Sequence, residues 1–459
     1  MSIQNNVTTF LYNYRKWLTI FFLGTIVLSA FFLRTGHIYI LLDAHELKEA
    51  PIHADARQYI KYGYNLAYNN LYSMDFPSMH PKPDSYRSPG YPLLIAMSMR
   101  LTDGLNFIPA MLYMQAVLGT LTVILTYLIA KHFMSNLFSL AAALLVGLNP
   151  HLITMTGYLL TETVAGFLLL AALLSYILAL ERGHLFLFAL AGLLFGWGYM
   201  TNETLLILPF ILGCITGVKA VIPPALNHKN LLPIAVFLSV FYIFPSAWIG
   251  RSVLKVSADA LTGYNRAVQT LSHGAYPGFI HETIEKRYYP YLEDPLQPEF
   301  GSSIGNFGKI LWQRARQRPL RYLSWYLIEK PFYFWSWDIL QGQGDVFIYP
   351  VKTSLYHESR IADIKKGVMK KLHWAILLLC LAGIPALFIR GSLYDSWESV
   401  IKALPVTLYV TCMYYTLLYS IFAPWPRYSI ILRPELYICT VWSFAFYFKT
   451  LLKNRAIRK

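Results

Sequence analysis

Residues 53–62 read HADARQYIKY, and their ionisable groups are spaced to share a surface. Asp55 is the only carboxylate there, with His53 before it and Arg57 after it. From Ala54 to about Tyr68 the spacing is helical, so Asp55, Tyr59 and Tyr62 fall at i, i+4 and i+7 on one face. That face presents a carboxylate followed by two phenols. Nearby cations keep a carboxylate ionised, and an ionised carboxylate within reach of a hydroxyl can take its proton. The same position also has a structural use, because a negative charge in the first turn of a helix compensates the helix dipole. The residues alone leave both readings open.

Further on, residues 73–92 read SMDFPSMHPKPDSYRSPGYP. So many prolines make an extended, stiff connector rather than a helix. It carries His80, Lys82, Asp84, Tyr86 and Arg87, and Pro92 suits the first turn of the helix that follows. A preset backbone aims Lys82 and Arg87 in a definite direction. A planar guanidinium is a natural ligand for phosphate oxygens, although lipid headgroups would satisfy the same two side chains.

The elements that must position these groups are apolar. Of 459 residues 56% are hydrophobic and only 14% are charged, and the mean hydropathy is +0.42. A soluble domain carries nearly twice that charged fraction. Apolar segments at about 17–34, 109–130, 137–153, 159–180, 185–201, 204–221, 231–249, 373–389, 401–423 and 429–448 approach or reach the length needed to cross a bilayer. The fold class expected is an all-α polytopic membrane protein of about ten transmembrane helices, with room for eleven or twelve. The 320–340 stretch carries Arg321, Glu329, Lys330 and Asp338, which favour a helix lying along the interface. The first apolar run is longer than a signal-peptide core and reads as an uncleaved anchor.

Arg15 and Lys16 precede that run, and Lys131, Arg182, Lys219, Lys229, Arg390 and the basic tail recur at alternate connections. This asymmetry puts both termini on the cytoplasmic side. Two long segments, 43–108 and 250–372, then face outward. The chain divides into 1–249 with the first outer loop, 250–372 as a second outer loop with interfacial helices, and 373–459. The second loop holds seventeen Lys and Arg against eleven Asp and Glu, and a basic outer surface suits an anionic substrate. The overall formal charge of +15 is what positive-inside loops and anionic lipids produce, and no nucleic-acid motif is present. Four cysteines lie in apolar runs without CxxC spacing, so neither zinc nor a disulfide framework is expected. His273, His281 and His357 lack metal-ligand spacing and read as solvated loop residues.

Three further groups fall at outer ends of spans in this topology. Glu162 and Glu203 are expensive there if they face lipid, so each lines a cavity or pairs with a base such as Arg251 or Arg427. Arg427 stands between Pro426 and Tyr428 at the outer edge of the last span.

Asp55-Ala56-x-x-Tyr59 on a helix, followed by Arg87-x-Pro89-Gly90-Tyr91-Pro92-Leu93-Leu94, resembles the GT-C superfamily of membrane glycosyltransferases. The resemblance is to the branch of the aminoarabinose transferases and the dolichyl-phosphate-mannose protein mannosyltransferases. It extends to Asn149-Pro150 with Glu162, to Tyr199–Glu203, and to Pro426-Arg427-Tyr428, but is poor over 250–372. This sequence departs where relatives carry Lys or Arg after the fifth span, since Asn202-Glu203 stand there, and Ser88 replaces a frequent proline.

The resemblance implies an inverting glycosyltransferase of the EC 2.4 class that moves a sugar from a polyprenyl-phosphate carrier, such as undecaprenyl phosphate, to a glycan, lipid or protein acceptor, as in lipopolysaccharide modification. Asp55 or Glu162 would be the catalytic base. Arg87, Lys82, Tyr59, Arg427 and Tyr428 would hold the donor phosphate, and Asn202, Glu203 and His53 the sugar or acceptor. No cofactor and no metal ligands are expected, although a divalent metal stays open. The protein is expected to be a monomer of the inner (plasma) membrane with an extracytoplasmic active site. A polyprenyl-lipid or anionic-lipid flippase or transporter would share the spans but gives the Asp55 loop no role, and a non-catalytic scaffold would do nothing to a lipid-linked sugar.

Overall fold

In a computed structural model of the chain, residues 2–44, 54–221, 231–278, 289–340, 343–394 and 397–457 are described. Among them every regular element is helical, apart from isolated bridge pairs at Ser85–Thr262 and Gly344–Phe347. Each apolar segment of the sequence is helical over most of its length, several being divided between two elements. Five helices are long and apolar enough to cross a membrane: Tyr14–Ala44, Gly104–Phe133, Glu162–Arg182, Leu232–Lys255 and Arg360–Gly391. The pair Asn136–Leu148 and Pro150–Gly157, bent by 52°, makes a sixth. Leu185–Thr201, Glu203–Gly217 and Val406–Ile421 are apolar but shorter. In the final helix, Arg433–Ile457, only 13 uncharged residues separate Glu435 from Lys449. Length and composition alone therefore support five or six spans, against the ten expected. The molecule is a polytopic helical membrane protein.

The bend after Leu148 has a local cause. Pro150 has no N–H to donate and opens the next turn, while the Asn149 side chain accepts from Leu152 N at 2.9 Å. The Asn149 amide then donates to the Tyr437 hydroxyl at 2.6 Å, tying the break to the final helix.

The first loop folds as its spacing predicts. The helix Asp55–Tyr68 buries Ala56, Tyr59, Tyr62 and Gly63 and packs against the helix Gly90–Leu101. Between them the connector is organised by Asp84. It accepts from the Tyr62 hydroxyl, from Met74 N at 2.7 Å and from Tyr86 N at 3.1 Å. Arg251 closes the arrangement by donating to the Asp84 and Tyr72 carbonyls at 2.5 and 3.0 Å. Arg87 is thus carried on a backbone fixed from both sides.

Gly90 lets that backbone approach the helix Leu185–Thr201. A Cβ there would lie 2.7 Å from the Met200 carbonyl carbon and oxygen, which cannot move like a side-chain tip. Gly90→Ala should destabilise the protein by about 1–3 kcal/mol, the usual cost of overpacking. Its melting temperature in detergent should fall; an unchanged value would mean that the contact is not tight.

The helix expected within 320–340 forms over residues 319–334 and contains a π-turn. It runs as Pro319–Ser324, a π-turn at Trp325–Glu329, and Lys330–Phe334. Its inner face is buried: the Trp325 indole donates to the Gly274 carbonyl at 2.9 Å. Lys330 Nζ donates to the Ile421 and Phe422 carbonyls at 2.9 and 3.1 Å, the favourable place for a cation at a helix C-terminus. Leu320, Leu323, Leu327, Ile328 and Phe332 remain exposed on the outer face. Two large apolar cores fill the bundle, one around the first loop and one around the helices that follow Glu162.

Candidate active site

Side chains from six separate elements meet between those cores. Asp55 starts the helix Asp55–Tyr68, Arg87 ends the stiff connector, and Glu162 opens the helix Glu162–Arg182. Glu203 lies in the turn Glu203–Leu205, Arg266 on the helix Gly263–Gly274, and Arg427 on the turn Pro426–Leu432. All six border one cavity of about 570 Å³. Each sits at or near the end of its element, where a side chain can point along the axis of the bundle without breaking apolar packing.

The charges alternate. Asp55 Oδ1 accepts from Arg87 Nη2 at 2.6 Å, and Asp55 Oδ2 from Arg427 Nη2 at 2.6 Å. On its other edge, Arg427 Nε lies 3.1 Å from Glu162 Oε1, an ion pair without hydrogen-bond alignment. Arg266 pairs with Glu203 across the cavity. Arg87 is further oriented by donating Nε to Gln58 Oε1 at 2.8 Å. Its guanidinium lies 5.3 Å from the Tyr59 ring centroid and 5.6 Å from that of Tyr86, within cation–π range. Three guanidiniums therefore face three carboxylates, with Tyr59, Tyr199, Tyr414, Tyr419 and Tyr428 as an aromatic wall.

The Asp55 side chain keeps 21% of its exposure, Arg87 13%, Arg427 10% and Glu162 6%. Burial by itself would raise the Asp55 pKa, but the Arg427 and Arg87 guanidiniums outweigh it and hold the carboxyl well below the usual carboxylate range. Burial would lower Arg87 and Arg266, and their carboxylate and phenol neighbours reverse the sign. Burial pushes the Tyr59 phenol up to about 12, so it stays a hydrogen-bond donor at neutral pH.

Of the residues singled out in the sequence, Asp55, Tyr59, Arg87, Glu162, Asn202, Glu203, Arg427 and Tyr428 all line this cavity. Asn202 also accepts from Thr204 N at 3.2 Å and Oγ1 at 2.7 Å, fixing the turn that carries Glu203. Lys82 stands apart: its side chain is exposed, and its backbone carbonyl is held by the Ser73 hydroxyl at 2.5 Å. The turn of the connector between Lys82 and Arg87 sends the two cations different ways. His53 lies outside the described residues. His273 is not solvated as expected, since it stacks on Tyr291 with centroids 3.8 Å apart. Glu162 pairs with Arg427 as one reading allowed, whereas Glu203 takes Arg266 and not Arg251.

Arg266 was not legible beforehand. A capping pair, Thr262 with Asn265, does mark the start of its helix. Nothing local says that this helix docks on the first loop, where Ser85 N donates to Leu261 O at 3.1 Å and Tyr86 Oη to Gln269 at 3.1 Å. Arg266→Gln should leave Glu203 in the cavity without its cation. Substrate turnover should fall by roughly ten- to a hundredfold, mainly through KM, as expected for loss of a charged contact of about 1.5–3 kcal/mol. Unaltered KM and kcat would remove Arg266 from the site.

Residues 57–258 match the family described as oligosaccharyl transferase STT3, N-terminal. The architecture matches solved structures over nearly the whole chain. The archaeal oligosaccharyltransferase AglB of Archaeoglobus fulgidus, in complex with an inhibitory peptide and a dolichol-phosphate, has a TM-score of 0.50 at 14% identity, covering 97% of this chain and 52% of that one. The fold is of the GT-C type. The apo form of the Archaeoglobus fulgidus enzyme gives a TM-score of 0.51 at 15% identity, with 97% and 52% covered. Its form tethered to an acceptor peptide gives 0.51 at 14%, with 97% and 51% covered. The chain thus spans about half the length of these structures. No curated protein matches the sequence. The GT-C superfamily is the one the first-loop residues resemble, and the relatives found are oligosaccharyltransferases. Within the GT-C fold, the matched region includes Arg87, Glu162 and Glu203, while Asp55 lies two residues before it.

Proposed function

We propose that the chain is an inverting glycosyltransferase of the plasma membrane that moves a sugar from a polyprenyl-phosphate carrier to an extracytoplasmic acceptor. The observation that carries this reading is the cavity in which Asp55 is gripped by Arg87 and Arg427 at 2.6 Å each. A carboxylate held by two guanidiniums is a weak base. A lipid phosphate entering the cavity competes for both guanidiniums, because a charge-assisted bidentate contact is what each is shaped to make. As they turn to the phosphate, Asp55 loses its compensation and its basicity rises. The base is therefore switched on by the donor.

In the transfer step, Asp55 takes the proton of the acceptor hydroxyl while the acceptor oxygen attacks the anomeric carbon. The bond from that carbon to the phosphate oxygen breaks, and the pair of electrons leaves on polyprenyl phosphate. Arg87 and Arg427, already turned to the phosphate once the donor is bound, stabilise the charge that grows on it in the transfer step. Glu162 holds Arg427 from its far side so that its fork faces the phosphate. Asn202, Glu203 and Tyr428 line the part of the cavity left for sugar and acceptor hydroxyls.

The test is turnover by purified protein with a polyprenyl-phosphate-linked sugar and a mixed pool of glycan, lipid and protein acceptors. Release of polyprenyl phosphate with an inverted product supports the reading. Translocation of the carrier lipid across a vesicle membrane, with the sugar still attached, would make the chain a flippase and defeat it.

A further inference from the structure

The segment 250–372 carries cations that the cavity does not use. Residues 301–328 hold five Lys and Arg and no Asp or Glu. Two of the five are engaged by carboxylates of their own surroundings. Arg314 Nη2 donates to Asp294 Oδ2 at 2.5 Å, and Arg321 pairs with Glu329. Lys309, Arg316 and Arg318 are exposed and have no carboxylate partner among the described residues.

These three stand beside apolar groups that are equally bare. On the helix Ile304–Gln317, Phe307, Ile310, Leu311 and Arg314 fall at i, i+3, i+4 and i+7 and turn inward, toward the core around Tyr276 and Phe300. The other face presents Lys309, Trp312 and Arg316 at i, i+3 and i+7, with Trp312 68% exposed. A helix facing only water gains nothing from an indole there. Past Arg318 and Pro319 the exposed face continues as Leu320, Leu323, Leu327, Ile328 and Phe332. A tryptophan and a row of aliphatic side chains rimmed by cations are what a helix lying in a membrane interface carries.

Two contacts set the height of this strap. The Phe332 ring stacks on Trp374, with centroids 4.5 Å apart. Trp374 belongs to the membrane-length helix Arg360–Gly391, between Lys370 and Lys371 on one side and the apolar run from Ala375 on the other. That is the interfacial level of a span. Lys330, by capping the Ile421 and Phe422 carbonyls, holds the same strap to the end of the helix Val406–Ile421, where Phe422 borders the main cavity. The strap lies beside the cavity at the depth of lipid headgroups. An anionic phospholipid surface satisfies both halves of it, because acyl chains cover Trp312 and the leucines while phosphates reach the cations. An acidic polypeptide answers the cations alone.

We propose that residues 304–332 form a strap lying flat in the headgroup layer, where Lys309, Arg316 and Arg318 hold anionic phospholipid headgroups. This lipid contact is independent of the glycosyltransferase reading and would persist if that reading failed.

Hydrogen–deuterium exchange of the full-length protein in nanodiscs tests it, comparing phosphatidylcholine discs with discs in which phosphatidylglycerol replaces part of that lipid. Amides of residues 304–324 should exchange at least about fivefold more slowly in the anionic discs, and high salt should shrink the difference. The helix Gly263–Gly274 should not respond. A Lys309→Gln, Arg316→Gln, Arg318→Gln variant changes only exposed side chains, with its melting temperature as the control for folding, and should lose the difference. Trp312→Ser should exchange faster in both discs. Equal exchange of the unaltered protein in the two discs, or a triple variant that keeps the difference, would overturn the proposal. So would protection in phosphatidylcholine discs brought about by inorganic phosphate, which marks a phosphate site, or by polyglutamate, which marks a protein-docking face.

Discussion

Asp55→Asn abolishes sugar transfer in this account, lowering kcat by on the order of 10²–10⁴-fold, the range a positioned general base contributes. Asparagine keeps the shape of the side chain and one carbonyl oxygen for an arginine, but it cannot accept a proton. The melting temperature and the extracted yield are the controls, because Asp55 also neutralises Arg87 and Arg427. Donor binding should survive, since the guanidiniums proposed to hold the phosphate are still present and are no longer contested by a carboxylate. A variant that binds donor at least as well but does not turn over separates chemistry from binding. Turnover within a few-fold of the unaltered protein would pass the role of base to Glu162.

Arg427→Gln has the second large expected effect, and for a different reason. Arg427 contacts both Asp55 and Glu162, at 2.6 and 3.1 Å. Its loss removes a proposed phosphate ligand and takes the paired cation from the Glu162 side chain, which is 6% exposed. Breaking a buried pair by removing one partner costs about 3–5 kcal/mol. Transfer should fall at least as far as in Asp55→Asn, with donor affinity falling too, and the protein should melt earlier. Arg427→Lys should recover little, because one ammonium cannot span two carboxylates as a planar fork does. The pH dependence has a definite sign. Asp55 is depressed in the folded protein, so its ion pairs stabilise at every pH above the ordinary carboxylate value of about 3.9 and are lost as pH falls through the depressed value. The acid limb of kcat/KM should therefore show no Asp55 titration between about pH 5 and 8, and Arg427→Gln should move that titration up toward the ordinary value.

How far these residues could be read in advance depended on whether their partners are near in sequence. Asp55, Tyr59 and Tyr62 share a face because helical spacing is local, and Arg87 is aimed by prolines in its own segment. Glu162, Glu203 and Arg427 were placed at the same end of the bundle by topology, since a charge at a span end must find water, a cavity or a partner. Which guanidinium each one meets is a matter of tertiary packing over 372 residues in the case of Asp55 and Arg427, and no local signal fixes it. Arg266 is the clearest case, an ordinary arginine in a basic loop until its helix docks on the first loop. Lys82 shows the converse, a cation close in sequence that a proline turn directs elsewhere. The spans were legible as apolar helices, whereas their count rests on several helices of 10–17 residues and on the pair divided at Asn149-Pro150.

The most direct test is the lipid that leaves the membrane with the protein. Wild type and an Arg87→Gln, Arg427→Gln double variant, purified in parallel and extracted, would be compared by mass spectrometry. The account predicts polyprenyl phosphate, with or without its sugar, at near-stoichiometric amounts in the wild type and depleted at least tenfold in the double variant, about 1.4 kcal/mol or more of binding. Equal amounts in both, or bilayer phospholipid alone in both, would contradict a donor site built on Asp55, Arg87 and Arg427.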